Sequence, residues 1–170
     1  MKFISINGSS CSGKSLVIKN ILKQRDHLFH LSYDTIKWSF SKYSSKEQFK
    51  DVHAVMLAMA KAVFVMKYDV ISESGLYKDW REVLFATARA HGYEVVEIVL
   101  GADYEVLERR FDERVARAAA DPEARIANRS KERFKELFDI FQKEKNASAL
   151  TFRSDIQSAE EIAEGILKLL

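Results

Sequence analysis

Near the start of the chain, a run of eight residues combines two glycines, four hydroxyl side chains and a lysine in a phosphate-binding pattern. The run is G-x-x-x-x-G-K-S without departure: Gly8-Ser9-Ser10-Cys11-Ser12-Gly13-Lys14-Ser15. The glycines permit backbone angles and close approaches that a side chain would block. The loop N–H groups would surround phosphate oxygens at a helix N-terminus, where the helix dipole is positive. Lys14 would then reach the β and γ phosphates of a triphosphate, and the Ser15 hydroxyl would ligate Mg²⁺.

Two carboxylates follow predicted strands, where ligands bind in open α/β sheets. Asp34 comes after the predicted strand 28–32, and Glu73 ends the predicted strand 70–72. Asp34 is a candidate general base that accepts the proton of an attacking hydroxyl, and its alternative is the N-cap of a helix over 35–41. Glu73 is either an acid that holds Mg²⁺ through water or a polar end of its strand.

Arginines are concentrated between residues 109 and 133. They are Arg109, Arg110, Arg114, Arg117, Arg125, Arg129 and Arg133. The spacing of Arg110, Arg114 and Arg117 places them on one helix face. Closing that face over a triphosphate would offset charge on the transferred phosphoryl group and exclude water. The interleaved acidic residues would instead form helix pairs on a solvated face.

Aromatic side chains near both carboxylates have two interpretations, enclosure of an acceptor substrate or packing against the following helix. The first group lies beside Lys37 and Lys42 and contains Trp38, Phe40 and Tyr43; the second contains Tyr77 and Trp80. The four histidines show no metal-ligand spacing and are interpreted as structural or exposed. Cys11 is interpreted as a small neutral filler of its loop, with redox control as the alternative.

Short apolar runs alternate with longer periodic ones, which predicts alternating strands and helices. The predicted strands are 3–6, 28–32, 70–72, 95–100 and 149–152; the longer helices are 14–24, 47–67, 79–91, 104–118, 131–145 and 159–170. This alternation indicates parallel strands with right-handed crossovers, hence a three-layer α/β fold. Without repeats or low-complexity linkers, residues 1–170 are predicted to form one domain.

Composition is that of an ordinary globular protein. The 170 residues carry a net charge of +2, with 47% hydrophobic and 31% charged residues, which argues against a disordered tail, a collagen-like chain or a disulfide scaffold. Near neutrality gives no general argument for nucleic acid or membrane. Without an evident targeting segment or an apolar run of membrane-spanning length, we expect a cytoplasmic protein.

The chain resembles, over nearly its full length, the P-loop kinases grouped around polynucleotide kinase, zeta toxin and chloramphenicol phosphotransferase. The resemblance rests on the loop 8–15, Asp34, the strand end 70–73, the stretch from Glu108 to Arg114 and the Ser158–Glu161 start of the last helix. It implies a three-layer α/β/α P-loop NTP hydrolase fold with a five-stranded parallel sheet of order 2-3-1-4-5. It also implies ATP with Mg²⁺ and phosphoryl transfer to a hydroxyl.

By the same similarity, Asp34 matches the general base, and Arg110 and Arg114 match the lid arginines. The lid would span about 109–133 and the acceptor-side helical segment about 35–67. One departure is Lys37, where polynucleotide kinases commonly have arginine. Lysine lacks the bidentate fork that suits phosphate, so a nucleic-acid acceptor is not favoured.

The leading hypothesis is an ATP-dependent kinase, monomeric or homodimeric, acting on an antibiotic-, nucleoside- or sugar-like hydroxyl. Alternatives are a 5′-hydroxyl polynucleotide kinase activity, a nucleotide-dependent ATPase or switch, and a non-catalytic nucleotide-binding module. The predicted catalytic residues are Lys14, Asp34, Arg110 and Arg114. Nucleotide binding is assigned to residues 8–15 with Arg110 and Arg117, and metal binding to Ser15 and Glu73.

Overall fold

The computed structural model describes residues 1–73, 78–121 and 130–170. Its strands are β1 (Lys2–Asn7), β2 (Leu28–Ser32), β3 (Asp69–Glu73), β4 (Glu94–Gly101) and β5 (Leu150–Arg153). Its helices are α1 (Lys14–Leu22), α2 (Tyr33–Lys37), α3 (Ser45–Val65), α4 (Lys78–Ala90), α5 (Tyr104–Ala119), α6 (Lys131–Glu144) and α7 (Ala159–Leu167).

The five strands form one sheet in the order β2-β3-β1-β4-β5, and every neighbouring pair is parallel. This confirms the expected strand order. The central strand β1 is covered on both faces, so its consecutive side chains Phe3 and Ile4 are both fully buried. A parallel sheet of this kind places the ends of β1 and β3 side by side. The loop after Asn7 therefore begins beside Glu73.

Helices cover both faces of the sheet. Helices α3 and α4 pack on the face that carries Phe3 and Val70, and α1 and α7 pack on the face that carries Ile4 and Ile71. A third apolar cluster joins α5 to α6 through Leu107, Phe111 and Phe134. The sheet between two helical layers is the expected three-layer architecture.

Helix α2 differs from its expected position. It covers Tyr33–Lys37 rather than 35–41, because Ser32 is the N-cap: its Oγ accepts a hydrogen bond from the backbone N–H of Thr35 at 3.2 Å. The interpretation of Asp34 as an N-cap is therefore wrong. Asp34 lies in the first turn of the helix, and its carboxylate does not cap the helix.

Other helix ends differ from expectation by one to three residues, which is usual where helices fray. Helix α3 ends at Val65 because Lys67 takes a left-handed conformation with φ of 61°. Across residues 1–73, 78–121 and 130–170, no helix is both long and apolar enough to cross a membrane.

Candidate functional site

The loop between β1 and α1 follows a path that demands glycine at two positions. A Cβ on Gly8 would lie 2.5 Å from Ser12 Oγ and 2.6 Å from the Leu100 carbonyl oxygen. Gly13, directly before α1, has φ of +90°. This backbone conformation is unfavourable for any residue that carries a side chain. The path of the loop and its contact with β4 therefore give a physical reason for both glycines of the motif.

The Lys14 ammonium lies across the loop. Its Nζ donates hydrogen bonds to the carbonyl oxygens of Gly8 at 2.8 Å and Ser9 at 2.9 Å. Burial lowers the pKa of Lys14, and the negative charges of Glu73 and Asp34 oppose that shift. A positive charge is thus held next to the loop by contacts with nearby oxygens.

At the end of β3, Glu73 links the loop to the neighbouring strand β2. Ser15 Oγ donates to Glu73 Oε2 at 3.5 Å, and Ser32 Oγ donates to Glu73 Oε1 at 2.9 Å. His30 Nε2 lies 3.5 Å from the same Oε1. Burial raises the pKa of Glu73, but its contacts with His30 and Ser32 and the charge of Lys14 outweigh that effect, so the pKa is lowered.

Ser15 and Glu73 are suited to Mg²⁺, which prefers oxygen ligands and binds through one or two protein groups together with substrate phosphates. Among residues 1–73, 78–121 and 130–170, no group of three histidine, cysteine or acidic side chains could hold a metal ion. The pair therefore fits a metal that is shared with bound phosphate rather than one caged by protein.

Arg110 joins three separate segments. Its guanidinium donates to the Ser154 carbonyl oxygen at 2.7 Å, to Ser154 Oγ at 2.9 Å and to the Cys11 carbonyl oxygen at 3.5 Å. Cys11 packs against the α5–α6 cluster, as its interpretation as a filler predicts. Helix α5 is thus attached to the loop and to the segment after β5.

The other arginines of the stretch 109–133 do not all lie at the site. Arg114 and Arg117 line the same cavity as the loop. Arg109 is exposed, and Arg133 forms an ion pair with Glu136 at 2.6 Å. Arg125 and Arg129, and with them part of the expected lid, lie outside the described residues.

A cavity of about 660 Å³ lies between the loop, α5 and the start of α7. Of the predicted site residues, it is lined by Ser10, Cys11, Ser12, Gly13, Lys14, Ser15, Asp34, Glu73, Arg110, Arg114 and Arg117. Gly8 and Ser9 are not in its wall, but their carbonyl oxygens hold Lys14. The structure therefore brings residues from four distant parts of the sequence into one wall.

Several residues of the cavity were missed by sequence reasoning. They are Leu16, Val17, Glu113, Ser154, Gln157, Ser158, Ala159 and Ile162. A polar stretch directly after the last strand was the available signal, since strand ends at this edge contribute to ligand sites. His30 was missed as a partner of Glu73; its alternation with Ser32 along β2 places both side chains on one face.

Asp34 is paired with a buried lysine. Lys37 Nζ donates to Asp34 Oδ1 at 2.6 Å, while the Asp34 side chain itself is 60% exposed. The carboxylate therefore has one oxygen held by α2 and lines the cavity of the phosphate loop.

The aromatic residues near Asp34 are mostly packed. Phe40 and Tyr43 contact the α3–α4 core, and the Tyr43 hydroxyl lies 2.8 Å from that of Tyr33. Trp80 stacks on His53 with ring centroids 4.8 Å apart. Packing is therefore the better interpretation for Phe40 and Tyr43, and Tyr77 lies outside the described residues.

Known structures with this fold include kinases of small molecules. An APS kinase from Mycobacterium tuberculosis, solved with AMPPNP and APS, superimposes with a TM-score of 0.67 at 16% identity, covering 99% of this chain and 96% of that one. A shikimate kinase from Acinetobacter baumannii, solved with shikimate, gives 0.62 at 14% identity, covering 99% and 92%. A tunicamycin resistance protein from Deinococcus radiodurans gives 0.65 at 15% identity, covering 99% and 94%.

At these identities the likeness concerns the fold, which is that of P-loop kinases. A comparison with curated protein sequences finds no match. A family model described as an AAA domain matches residues 3–137. Since those residues are more than half of the chain and begin with the strand and loop of the phosphate site, the protein belongs to this AAA domain family of P-loop proteins.

Proposed function

We propose that the protein is an ATP-dependent kinase that transfers the γ-phosphoryl group of ATP to a hydroxyl of a small molecule. The observation that carries the proposal is the position of Asp34. Its exposed carboxylate lines the same cavity as Lys14, Ser15 and Arg114. A base beside a phosphate-binding loop is what hydroxyl phosphorylation requires and what nucleotide binding alone does not.

In the proposed reaction, the acceptor oxygen attacks the γ phosphorus as its proton moves to the Asp34 carboxylate. The bond between the γ phosphorus and the β–γ bridging oxygen breaks, and ADP leaves. Lys14 and the arginines of α5 would offset the negative charge on the phosphates, and the loop would hold them in position. Residues 109–133 are the proposed lid, and residues 35–67 the proposed acceptor side.

Mg²⁺ would be held by Ser15 and Glu73 together with the phosphates. When bound, it would neutralise phosphate charge and orient the β and γ oxygens. Support for these ligands comes from their oxygen donors, which lie 3.5 Å apart, and from the lowered pKa of Glu73, which keeps the carboxylate ionised.

A small acceptor is favoured over nucleic acid because of Lys37. Its ammonium is buried and bonded to Asp34, so it does not act as an exposed contact for a nucleic-acid phosphate. The APS and shikimate kinases of similar fold act on small molecules. The AMPPNP in the former supports ATP as the donor.

The test is a transfer screen with ATP labelled on the γ-phosphate. The acceptors are nucleosides, sugars, aminoglycosides, other antibiotics and 5′-hydroxyl oligonucleotides. Asp34→Asn should lower transfer at least about 100-fold, which is typical for loss of a general base, while ATP affinity stays within about twofold. Asp26→Asn, at an exposed position before β2, is the matched control and should retain full transfer.

Other outcomes would support the alternatives. Unchanged turnover in Asp34→Asn would remove Asp34 from the mechanism. Transfer only to oligonucleotides would establish the polynucleotide kinase alternative. Steady ATP hydrolysis that no acceptor alters would indicate an ATPase or switch, and tight ATP binding without transfer or hydrolysis would indicate a binding module.

A further inference from the structure

Lys37 is buried to an extent that is unusual for a lysine. Only 8% of its side chain is exposed, although the Asp34 side chain bonded to it is 60% exposed. Lysine is almost never fully buried unless its charge is paired. The pairing is with Asp34 at 2.6 Å, a distance typical of a charge-assisted hydrogen bond.

Aromatic rings surround the same ammonium. Lys37 Nζ lies 4.8 Å from the ring centroid of Trp38 and 5.8 Å from that of Tyr33, distances at which a ring face attracts a cation. Tyr33 is itself held by the hydroxyl contact with Tyr43. The rings of Tyr33 and Trp38 therefore hold the ammonium in position in addition to its contact with Asp34.

The pair is built within one short helix. Asp34 and Lys37 are three residues apart in α2, the spacing at which helical side chains meet. The contact uses Oδ1 of Asp34 alone. The ammonium thus restricts the rotation of the carboxylate and leaves Oδ2 for another partner.

We propose that Lys37 is a positioning residue for phosphoryl transfer, which holds Asp34 so that Oδ2 receives the acceptor proton. This inference rests on the proposed function. The acceptor proton moves to Oδ2 while the new O–P bond forms, and it later passes to solvent. Lys37 keeps its three protons throughout and neither gains nor loses charge.

The simpler alternative is that Lys37 only stabilises the fold. The two roles differ in their dependence on Asp34, because a positioning residue has nothing to act on once the base is removed. A double-mutant cycle separates them. The cycle uses Lys37→Met, Asp34→Asn and the double variant, with Lys37→Arg as the conservative variant and Lys143→Met, at an exposed position of α6, as the control.

The probe is hydrolysis of ATP with water as the acceptor, so no acceptor need be known. Lys37→Met should lower kcat about 10- to 100-fold, as expected when a catalytic group is misplaced by an ångström or less, with the KM for ATP changed less than about twofold. Lys37→Arg should recover part of the loss. In the Asp34→Asn background, Lys37→Met should cause no further loss, and Lys143→Met should match the wild type.

Thermal melting and affinity for a fluorescent ATP analogue establish that each variant is folded. The inference alone is overturned if Lys37→Met hydrolyses ATP like the wild type. It is also overturned if Lys37→Met lowers kcat by the same factor in the wild-type and Asp34→Asn backgrounds. Failure of Lys37→Met to fold, with Lys37→Arg fully active, would also assign Lys37 to stability. A wild type that neither hydrolyses ATP nor phosphorylates any acceptor refutes the proposed function and this inference with it.

Discussion

Lys14 and Glu73 have opposite charges beside the phosphate loop, and burial acts on both. Burial favours the neutral form of each group, so it lowers the pKa of Lys14 and acts to raise that of Glu73. For Glu73, contacts with His30 and Ser32 outweigh burial and lower the pKa instead. The consequence is a carboxylate that remains ionised next to the lysine, as the proposed Mg²⁺ and phosphate site requires.

The lowered pKa of Glu73 predicts a pH-dependent contribution to stability. A carboxyl group whose pKa is lower in the folded chain than in the unfolded chain stabilises the fold. This contribution is complete at pH values above the unfolded-chain pKa, which is near 4.5 for Glu73. That contribution is lost as the pH falls through the folded pKa. At pH 7, Glu73→Gln should therefore have a smaller free energy of unfolding than the wild type, and the difference should shrink as the pH falls below about 4.5.

Urea denaturation of both proteins across this range measures the difference directly, and subtraction removes the titration of carboxyl groups common to both. A stability difference that stays constant with pH would show that the contacts of Glu73 do not depend on its charge.

At the scale of elements, the loop between β1 and α1 is shaped by β4 as well as by its own residues. Gly8 lies against the carbonyl oxygen of Leu100 near the end of β4, and against Ser12 across the loop. A side chain there must displace backbone, which is costlier than moving a flexible side chain. The pairing of β1 with β4 thus restricts the loop to glycine at its first position.

Gly8→Ala should therefore lower the free energy of unfolding by about 1–3 kcal/mol through overpacking and weaken ATP binding at least about tenfold. The matched control is Gly92→Ala, because Gly92 has φ of +82° but no atom within 4 Å of an added Cβ. It should cost about 1–2 kcal/mol through backbone strain and leave ATP affinity unchanged. Chemical denaturation and titration with a fluorescent ATP analogue measure both quantities; equal ATP affinity in the two variants would contradict the steric argument.

At the scale of the whole molecule, the site depends on segments that are far apart in the sequence. Arg110 of α5 contacts the loop at Cys11 and the segment after β5 at Ser154. The same cavity includes Asp34 near β2 and Glu73 at the end of β3. These contacts make Arg110 a link between α5, the loop after β1 and the segment after β5.

Arg110→Met should weaken ATP binding about tenfold, because it removes charge-assisted hydrogen bonds that hold two walls of the cavity. Arg89→Met, at an exposed position of α4, should bind ATP like the wild type. Isothermal titration calorimetry with a non-hydrolysable ATP analogue distinguishes them. Equal affinities would show that the link contributes nothing to nucleotide binding.

Much of the fold could be predicted because its signals are local. The apolar run Phe3–Ile6 and the periodic stripe over 49–64 are read from neighbouring residues, and both elements formed as expected. The strand order was confirmed, although it came from a resemblance to known kinases rather than from periodicity. Helix α2 was misplaced because Ser32 and Asp34 are both good caps, and only the backbone geometry selects Ser32.

The phosphate loop could be recognised from its residues alone, since the conformation of Gly13 and the reach of the Lys14 side chain are properties of a short segment. Which other side chains meet the loop depends on the tertiary structure. The contacts of Glu73 with His30 and of Arg110 with Ser154 each join residues more than forty positions apart. Such contacts depend on strand register and helix packing, which neighbouring residues do not encode. Lys37 was identified from the sequence only as a departure from a motif. Its bond to Asp34 was not foreseen because α2 was expected to begin at residue 35, after Asp34, whereas it begins at Tyr33.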